Sequence, residues 1–167
     1  MPADATQRLL DESDIRDVVY RYCRAIDRRD FAAIHDCFHA DATDEHGRYV
    51  GDIPGLVAWV EEVLEPFAST THFIGNLIVE LDGDVAWVES YCQAMHRTKA
   101  EPAADWTANV RYVDRFERRA GTWRIARRRC VFSPGRIDPV VEDYPIAEAA
   151  HRQVAGPGDP VFARSLD

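Results

Sequence analysis

An α+β domain, helices first and a bent antiparallel sheet after them, is what this sequence predicts, and three observations predict it. Residues 15–26 carry Ile15, Val18, Val19, Tyr22 and Ile26 at the spacings of one buried helical face. From residue 71 onward the chain turns β-rich, in runs over 71–81, 85–96, 106–118 and 122–132 broken by Asp82-Gly83, a polar loop and Ala120-Gly121. A length of 167 residues lies close to the commonest domain size and calls for a single core.

The elements follow in order. Ser13 or Asp14 can cap the first helix, because a short oxygen-bearing side chain there accepts from a free backbone N–H. Asp30 can cap a short second helix with Phe31, Ile34 and Phe38 turned inward. Residues 42–50 read as a short hairpin turning near Gly47. Asp52 with Pro54 opens a third helix over 56–64, which Pro66 stops. The β-rich meander then occupies the rest of the domain, and helices followed by such a meander imply packing on one sheet face. The tail from Ser133 is rich in Pro, Gly and Asp, with a short helix expected around residues 146–153. Residues 1–135 form the domain in this reading, and 136–167 a tail that packs on it or on a neighbouring subunit.

Composition narrows the function. A formal net charge of −9 argues against nucleic acid as a partner. No apolar run approaches the roughly 18 residues of a membrane span. Cys23, Cys37, Cys92 and Cys130 lack the C-x-x-C spacing, and the N-terminus lacks a basic segment followed by an apolar one. Free thiols in a cytoplasmic protein are therefore expected. G-x-G-x-x-G, Walker A and G-x-S-x-G are absent from the sequence, so no nucleotide cofactor or serine nucleophile is expected.

Asp27 at the end of the first apolar stripe and His72 in Thr70-Thr71-His72-Phe73-Ile74-Gly75-Asn76 stand out chemically. A carboxylate that reaches an imidazole fixes its tautomer and holds it as a proton acceptor near neutral pH. Strand alternation puts His72 with Ile74, Asn76, Ile78 and Glu80, opposite the more apolar Phe73, Leu77, Val79 and Leu81, so it faces a mixed surface. Tyr22 lies on the helical stripe itself. Arg128 alternates with Arg127 and Arg129, and strict alternation sets it opposite Trp123 and Ile125.

Three motifs together carry a resemblance: Tyr22-x-x-x-x-Asp27 at the end of helix one, the strand around His72, and Tyr112-x-Asp114-x-Phe116-Glu117-Arg118-Arg119-x-Gly121-x-Trp123. Over residues 8–135 they resemble the SnoaL-like branch of the nuclear transport factor 2-like superfamily, with its hexachlorocyclohexane dehydrochlorinase, bile acid 7α-dehydratase and scytalone dehydratase members. The resemblance implies a cone-shaped fold, three N-terminal helices on a strongly curved antiparallel sheet, with a pocket between them. It implies an Asp27–His72 catalytic dyad. Tyr22 would contact substrate, and Arg128 would stabilise a leaving group or oxyanion.

Extension from His72 without a gap puts Tyr91, Gln93 and Met95 on the pocket face, with scytalone dehydratase placing a second histidine at the last of these positions. A one-residue bulge would instead bring His96 inward. Val110 and Tyr112 would line the pocket from the following strand, and Tyr49 would add aromatic surface.

The implied function is a cofactor-independent lyase, dehydratase-like, or an isomerase, acting on a small hydrophobic cyclic compound such as a polyketide, aromatic or steroid-like metabolite. Members of this fold imply a homo-oligomer, dimer or trimer. A non-catalytic ligand-binding or assembly subunit, like the small subunit of ring-hydroxylating dioxygenases, is the alternative; epoxide hydrolysis lacks the carboxylate and arginine placement it needs. His35 and His39, four apart on the expected second helix with Asp36, Asp41 and His46 nearby, form a weak metal pattern without the glutamate of H-E-x-x-H. No metal is expected there.

Overall fold

The computed structural model describes residues 5–142 and 144–163. Helix α1 runs over Ala5–Arg28, about two turns further upstream than Ser13 or Asp14 would start it. The reason is Asp11, a polar residue on the inward stripe: its carboxylate accepts from Trp123 Nε1 at 2.9 Å, Arg118 Nη1 at 2.9 Å and Gln7 Nε2 at 3.1 Å. Apolar periodicity cannot register a face that is held by ions and hydrogen bonds. At its other end, Arg29 takes the left-handed position (φ 53), and the N–H groups of Arg29 and Asp30 close back on Ile26 O and Ala25 O.

Asp30 then caps α2 (Phe31–Asp36), its Oδ1 accepting from Ala33 N. Phe38 already belongs to strand β1 (Phe38–His46), which pairs with β2 (Tyr49–Asp52) around Gly47 at φ 69. Asp52 caps α3 (Ile53–Leu64) by accepting from Gly55 N at 3.0 Å. Arg29 closes the far end of α3, donating from Nη2 to Leu64 O and Phe67 O.

Four long strands follow: β3 (Phe67–Asp82), β4 (Val85–Thr98), β5 (Ala104–Arg119) and β6 (Thr122–Pro139). With β1 and β2 they form one six-stranded sheet in the order β2-β1-β6-β5-β4-β3. The sheet is not wholly antiparallel, because β1 and β6 pair in parallel. Such pairing joins residues about 85 apart in sequence, Asp44 with Arg128 among them, and local patterning does not report it.

Two bulges decide which side chains face the helices. Between Ile74 and Leu77 the pairing of β3 with β4 slips by one residue, so Thr70, His72 and Ile74 share the inward face with Leu77, Val79 and Leu81. On β6 one extra residue, Ala126, lies between Ile125, opposite Phe116, and Arg127, opposite Arg115. Trp123, Ile125, Arg128 and Cys130 consequently all point inward. Between sheet and helices, Ile15, Val18, Ile34, Leu56, Val88 and Phe116 are among the fully buried core residues.

The tail departs from expectation. β6 continues to Pro139, residues 146–153 are not helical, and a short helix α4 occupies Pro160–Ala163 instead. Its start is a visible signal, since Asp159 Oδ1 accepts from Val161 N at 3.0 Å with Pro160 in the first turn. Asp159 also pairs with Arg28 at 3.0 Å, and Gly156 N donates to Arg28 O. Among the described residues, no helix is long and apolar enough to cross a membrane.

Candidate functional site

The end of α1 and the first half of β3 bring Asp27 and His72 together. Asp27 Oδ1 lies 2.7 Å from His72 Nδ1, and its other oxygen accepts from the His72 backbone N–H at 2.9 Å. Both side chains are about nine-tenths buried. Two bonds from one carboxylate fix ring and backbone at once. With Nδ1 carrying the shared proton, Nε2 is the free lone pair.

His96 stands beside this pair, its ring 5.7 Å from that of His72 and nearly perpendicular to it. β4 alternates without a break from Ala86 to His96, which puts His96 on the inward face, and the bulge in β3 turns Thr70 and His72 to that same face, with Thr70 opposite His96. Its Nδ1 lies 2.7 Å from Thr70 Oγ1, and its ring packs 4.8 Å from Phe67. Burial, reinforced by the nearby His72, pushes the His96 pKa down to about 4. The ring is neutral at physiological pH.

The same register corrects three expectations. Tyr91, Gln93 and Met95 face away from the helices, with Tyr91 and Met95 exposed and Gln93 donating to Asn109 on the outer face. Gap-free counting fails because one inserted residue inverts every later side chain. Ser90, Cys92 and Ala94 take the inward positions.

Val110 and Tyr112 are inward and buried. The Tyr112 hydroxyl points at Cys92 Sγ, 3.6 Å away. Tyr22 is buried against Phe38 and Tyr112, with ring centroids 5.7 and 6.0 Å away. Arg128 is fully buried: Nε and Nη2 donate to the two oxygens of Asp114 at 2.8 and 2.7 Å, and the guanidinium lies between the rings of Tyr22 and Tyr112, 4.3 and 4.2 Å from their centroids. Burial pushes both phenols well above their ordinary pKa. Tyr49 donates its hydroxyl hydrogen to Asp52 O at 2.6 Å and stacks on Trp59. That packing requires glycine at 55, where a Cβ would stand 2.3 Å from the Tyr49 hydroxyl.

Two clefts flank the histidines. The larger, of about 920 Å³, is lined by Phe67, His96, Trp106, Phe132 and Ile137. A smaller one of about 250 Å³ is bordered by Tyr20, Cys23, Arg24, Asp27, Arg28 and His72. Volume alone would centre the site on the first cleft. Chemistry centres it on the wall between the two, where His72 and His96 stand side by side.

Residue-by-residue reading missed Thr70 and Asp114, the partners of His96 and Arg128. Both were accessible to it: Thr70 shares strand parity with His72, and Asp114 with Tyr112. The expected histidine pattern on α2 dissolves, since the helix ends at Asp36; His35 is exposed, and His39 on β1 lies with Nε2 2.9 Å from Glu117 O.

Comparison with known proteins agrees with this architecture. The sequence pattern of the SnoaL-like domain matches residues 7–129. An uncharacterised protein of Mycobacterium tuberculosis, Rv2910c, is 30% identical over 121 residues, covering 71% of this chain and 82% of its own. The structure of hexachlorocyclohexane dehydrochlorinase LinA-type3 from Novosphingobium barchaimii superposes with a TM-score of 0.76 at 17% identity, over 86% of this chain and 100% of that one. Rv3472, a protein of unknown function from Mycobacterium tuberculosis, gives 0.69 at 26% identity, over 78% and 76%. With the family pattern spanning most of its length, the chain belongs to the SnoaL-like domain family.

Proposed function

We propose that this protein is a cofactor-independent lyase, dehydratase-like, or an isomerase that removes a proton from carbon in a small, largely apolar ring compound such as a polyketide, aromatic or steroid-like metabolite. The observation that carries the reading is the double hold of Asp27 on His72, which leaves Nε2 as the acceptor. His72 takes a proton from a carbon α to a carbonyl, and Asp27 stabilises the imidazolium that forms. The electron pair passes into the carbonyl as an enolate. Expulsion of hydroxide or halide from the β carbon completes an elimination, whereas return of the proton to another carbon completes an isomerisation. General base catalysis of this kind supplies ~10²–10⁴-fold.

Neutral His96, held by Thr70, is the nearest group able to donate to developing negative charge. Tyr22, Tyr112 and Arg128 serve as the buried polar wall behind the pair, in a cone whose aromatic cleft admits the ring. Residues 144–163 of the tail close one side of the domain, a role supported by Gln153 donating to Thr70 O at 2.6 Å. The apolar outer sheet face, with Phe73, Ile78 and Trp87 exposed, supports a dimer or trimer, and four free thiols support a cytoplasmic setting.

The test is turnover on a panel of fused-ring β-hydroxy and β-halo ketones, followed by halide release or by ultraviolet absorbance of the new double bond. Asp27→Asn and His72→Gln should each lower turnover by ~10²-fold or more while circular dichroism stays unchanged; undiminished turnover in either defeats the reading. A binding or assembly subunit is the second reading, favoured by one observation: the larger cleft reaches His96 without including Asp27 or His72. Ligand binding with no turnover, unchanged in both variants, would select it.

A further inference from the structure

A second group of chemistry-bearing side chains lies on the β1–β6 side of the sheet. Asp44 and His46 are two apart on β1 and share a face, and the parallel pairing of Asp44 with Arg128 brings Cys130 of β6 beside them. His46 Nδ1 is 3.2 Å from Cys130 Sγ and 3.3 Å from Asp44 Oδ1. The three donor atoms all lie within 4.8 Å of one another.

Asp44 sets this group apart from an ordinary polar cluster. Its side chain is fully buried, and neither carboxylate oxygen has a hydrogen-bond partner. Burying a carboxylate without partners is strongly unfavourable unless a cation or donors compensate it. Neighbouring Arg128 makes no hydrogen bond to it: Nε and Nη2 go to Asp114, and the buried Nη1 has no partner. The approach of His46 Nδ1 is short, yet it is not aligned as a hydrogen bond to Asp44, and that nitrogen is directed at Cys130. The aromatic rings of Trp59, Tyr112 and Phe132 surround the imidazole at centroid distances of 5.4, 6.3 and 6.3 Å.

We propose that Asp44, His46 and Cys130 bind a divalent cation of the zinc class. Tetrahedral zinc, with bonds of about 2.0–2.3 Å to nitrogen, oxygen and sulfur, places its donor atoms roughly 3.3–3.6 Å apart. The separations of 3.2 and 3.3 Å around His46 lie close to that range, and the third edge, from Asp44 to Cys130, is within 4.8 Å. One thiolate, one imidazole and one carboxylate select a borderline-soft ion, whereas calcium and magnesium take oxygen donors throughout. Charge also balances: Asp44 and the Cys130 thiolate neutralise the dication, while Asp114 neutralises Arg128. With three ligands among the described residues, a fourth position is open to water or another donor. The site is separate from Asp27 and His72 and does not depend on their proposed role.

The experiment titrates the full chain, stripped with chelator, with cobalt(II) as the spectroscopic stand-in for zinc. One equivalent should produce a thiolate-to-cobalt charge-transfer band and the visible bands of four-coordinate cobalt, both erased by zinc(II). Cys130→Ala should lose the charge-transfer band, and His46→Ala and Asp44→Asn should each weaken binding at least tenfold, while Cys23→Ala and Cys92→Ala bind as wild type does. X-ray absorption at the zinc edge of the wild-type protein needs no variant, and should show a single sulfur at about 2.3 Å with nitrogen and oxygen completing the shell. Absence of the charge-transfer band, its persistence in folded Cys130→Ala, or a shell with no sulfur or with two would overturn the proposal.

Discussion

Asp27 grips His72 through two separate bonds, one from Oδ1 to the imidazole Nδ1 and one from Oδ2 to the backbone N–H of the same residue. Ring orientation and strand position are thereby set by a single helix-terminal carboxylate. Replacing Asp27 by Asn should keep the amide oxygen as acceptor for one bond while losing the charge that stabilises an imidazolium. The expected result is a fall in kcat of ~10²-fold or more with little change in KM. Steady-state kinetics on any substrate found by the panel checks it, and an equal loss confined to KM would contradict it.

His96 makes stability depend on pH in a calculable direction. Its folded pKa, about 4, lies below its ordinary 6.5, so between those values the unfolded chain binds a proton that the native chain does not. Stability therefore rises with pH across that window and is lost as pH falls through it, by at most on the order of 3 kcal/mol. His39, whose pKa burial also lowers, contributes a slope of the same sign. Urea unfolding at pH 7 and pH 4.5 should show a larger acid loss for wild type than for His96→Asn. Equal losses would mean that the ring is not desolvated.

The buried pair of Arg128 and Asp114 predicts an asymmetry between single and double substitution. Arg128→Met leaves a carboxylate alone in the core and should cost about 3–5 kcal/mol. Adding Asp114→Leu should recover most of that loss, because two apolar side chains need no partners. Chemical denaturation of the two variants measures both terms. A double variant as unstable as the single would show that the stacking of Arg128 between Tyr22 and Tyr112 matters more than charge.

Gly135 lies at a further register slip of β6, between Arg136 opposite Thr107 and Ser133 opposite Asn109. A Cβ at this position would stand 2.4 Å from Thr107 O, a backbone atom that cannot swing aside. Gly135→Ala should therefore destabilise the protein by ~1–3 kcal/mol, with shifted amide resonances along residues 107–109. Gly121→Ala is a useful contrast: a Cβ there meets nothing within 4 Å, and only its φ of 79 opposes the change.

Much of this molecule is determined close to home in the sequence. Asp30 and Asp52 cap helices because a short carboxylate accepts from an N–H three residues on, and Gly83 and Gly121 turn hairpins because they accept positive φ. The order of helices and long strands follows from apolar period, and the resemblance in three motifs was enough to single out Asp27, His72, Tyr22 and Arg128. Tertiary structure decided which face each strand residue takes. One extra residue near Gly75-Asn76 puts His72 on the same inward face as His96, not Met95, and Ala126 lets Arg128 join Trp123 and Ile125 in the interior. Alternation has a period of two, so a bulge inverts everything beyond it, and no local pattern records where the curvature of the sheet over its helices will place one. The parallel pairing of β1 with β6 is equally non-local. It assembles Asp44, His46 and Cys130 from segments that read separately as an ordinary hairpin and a basic strand.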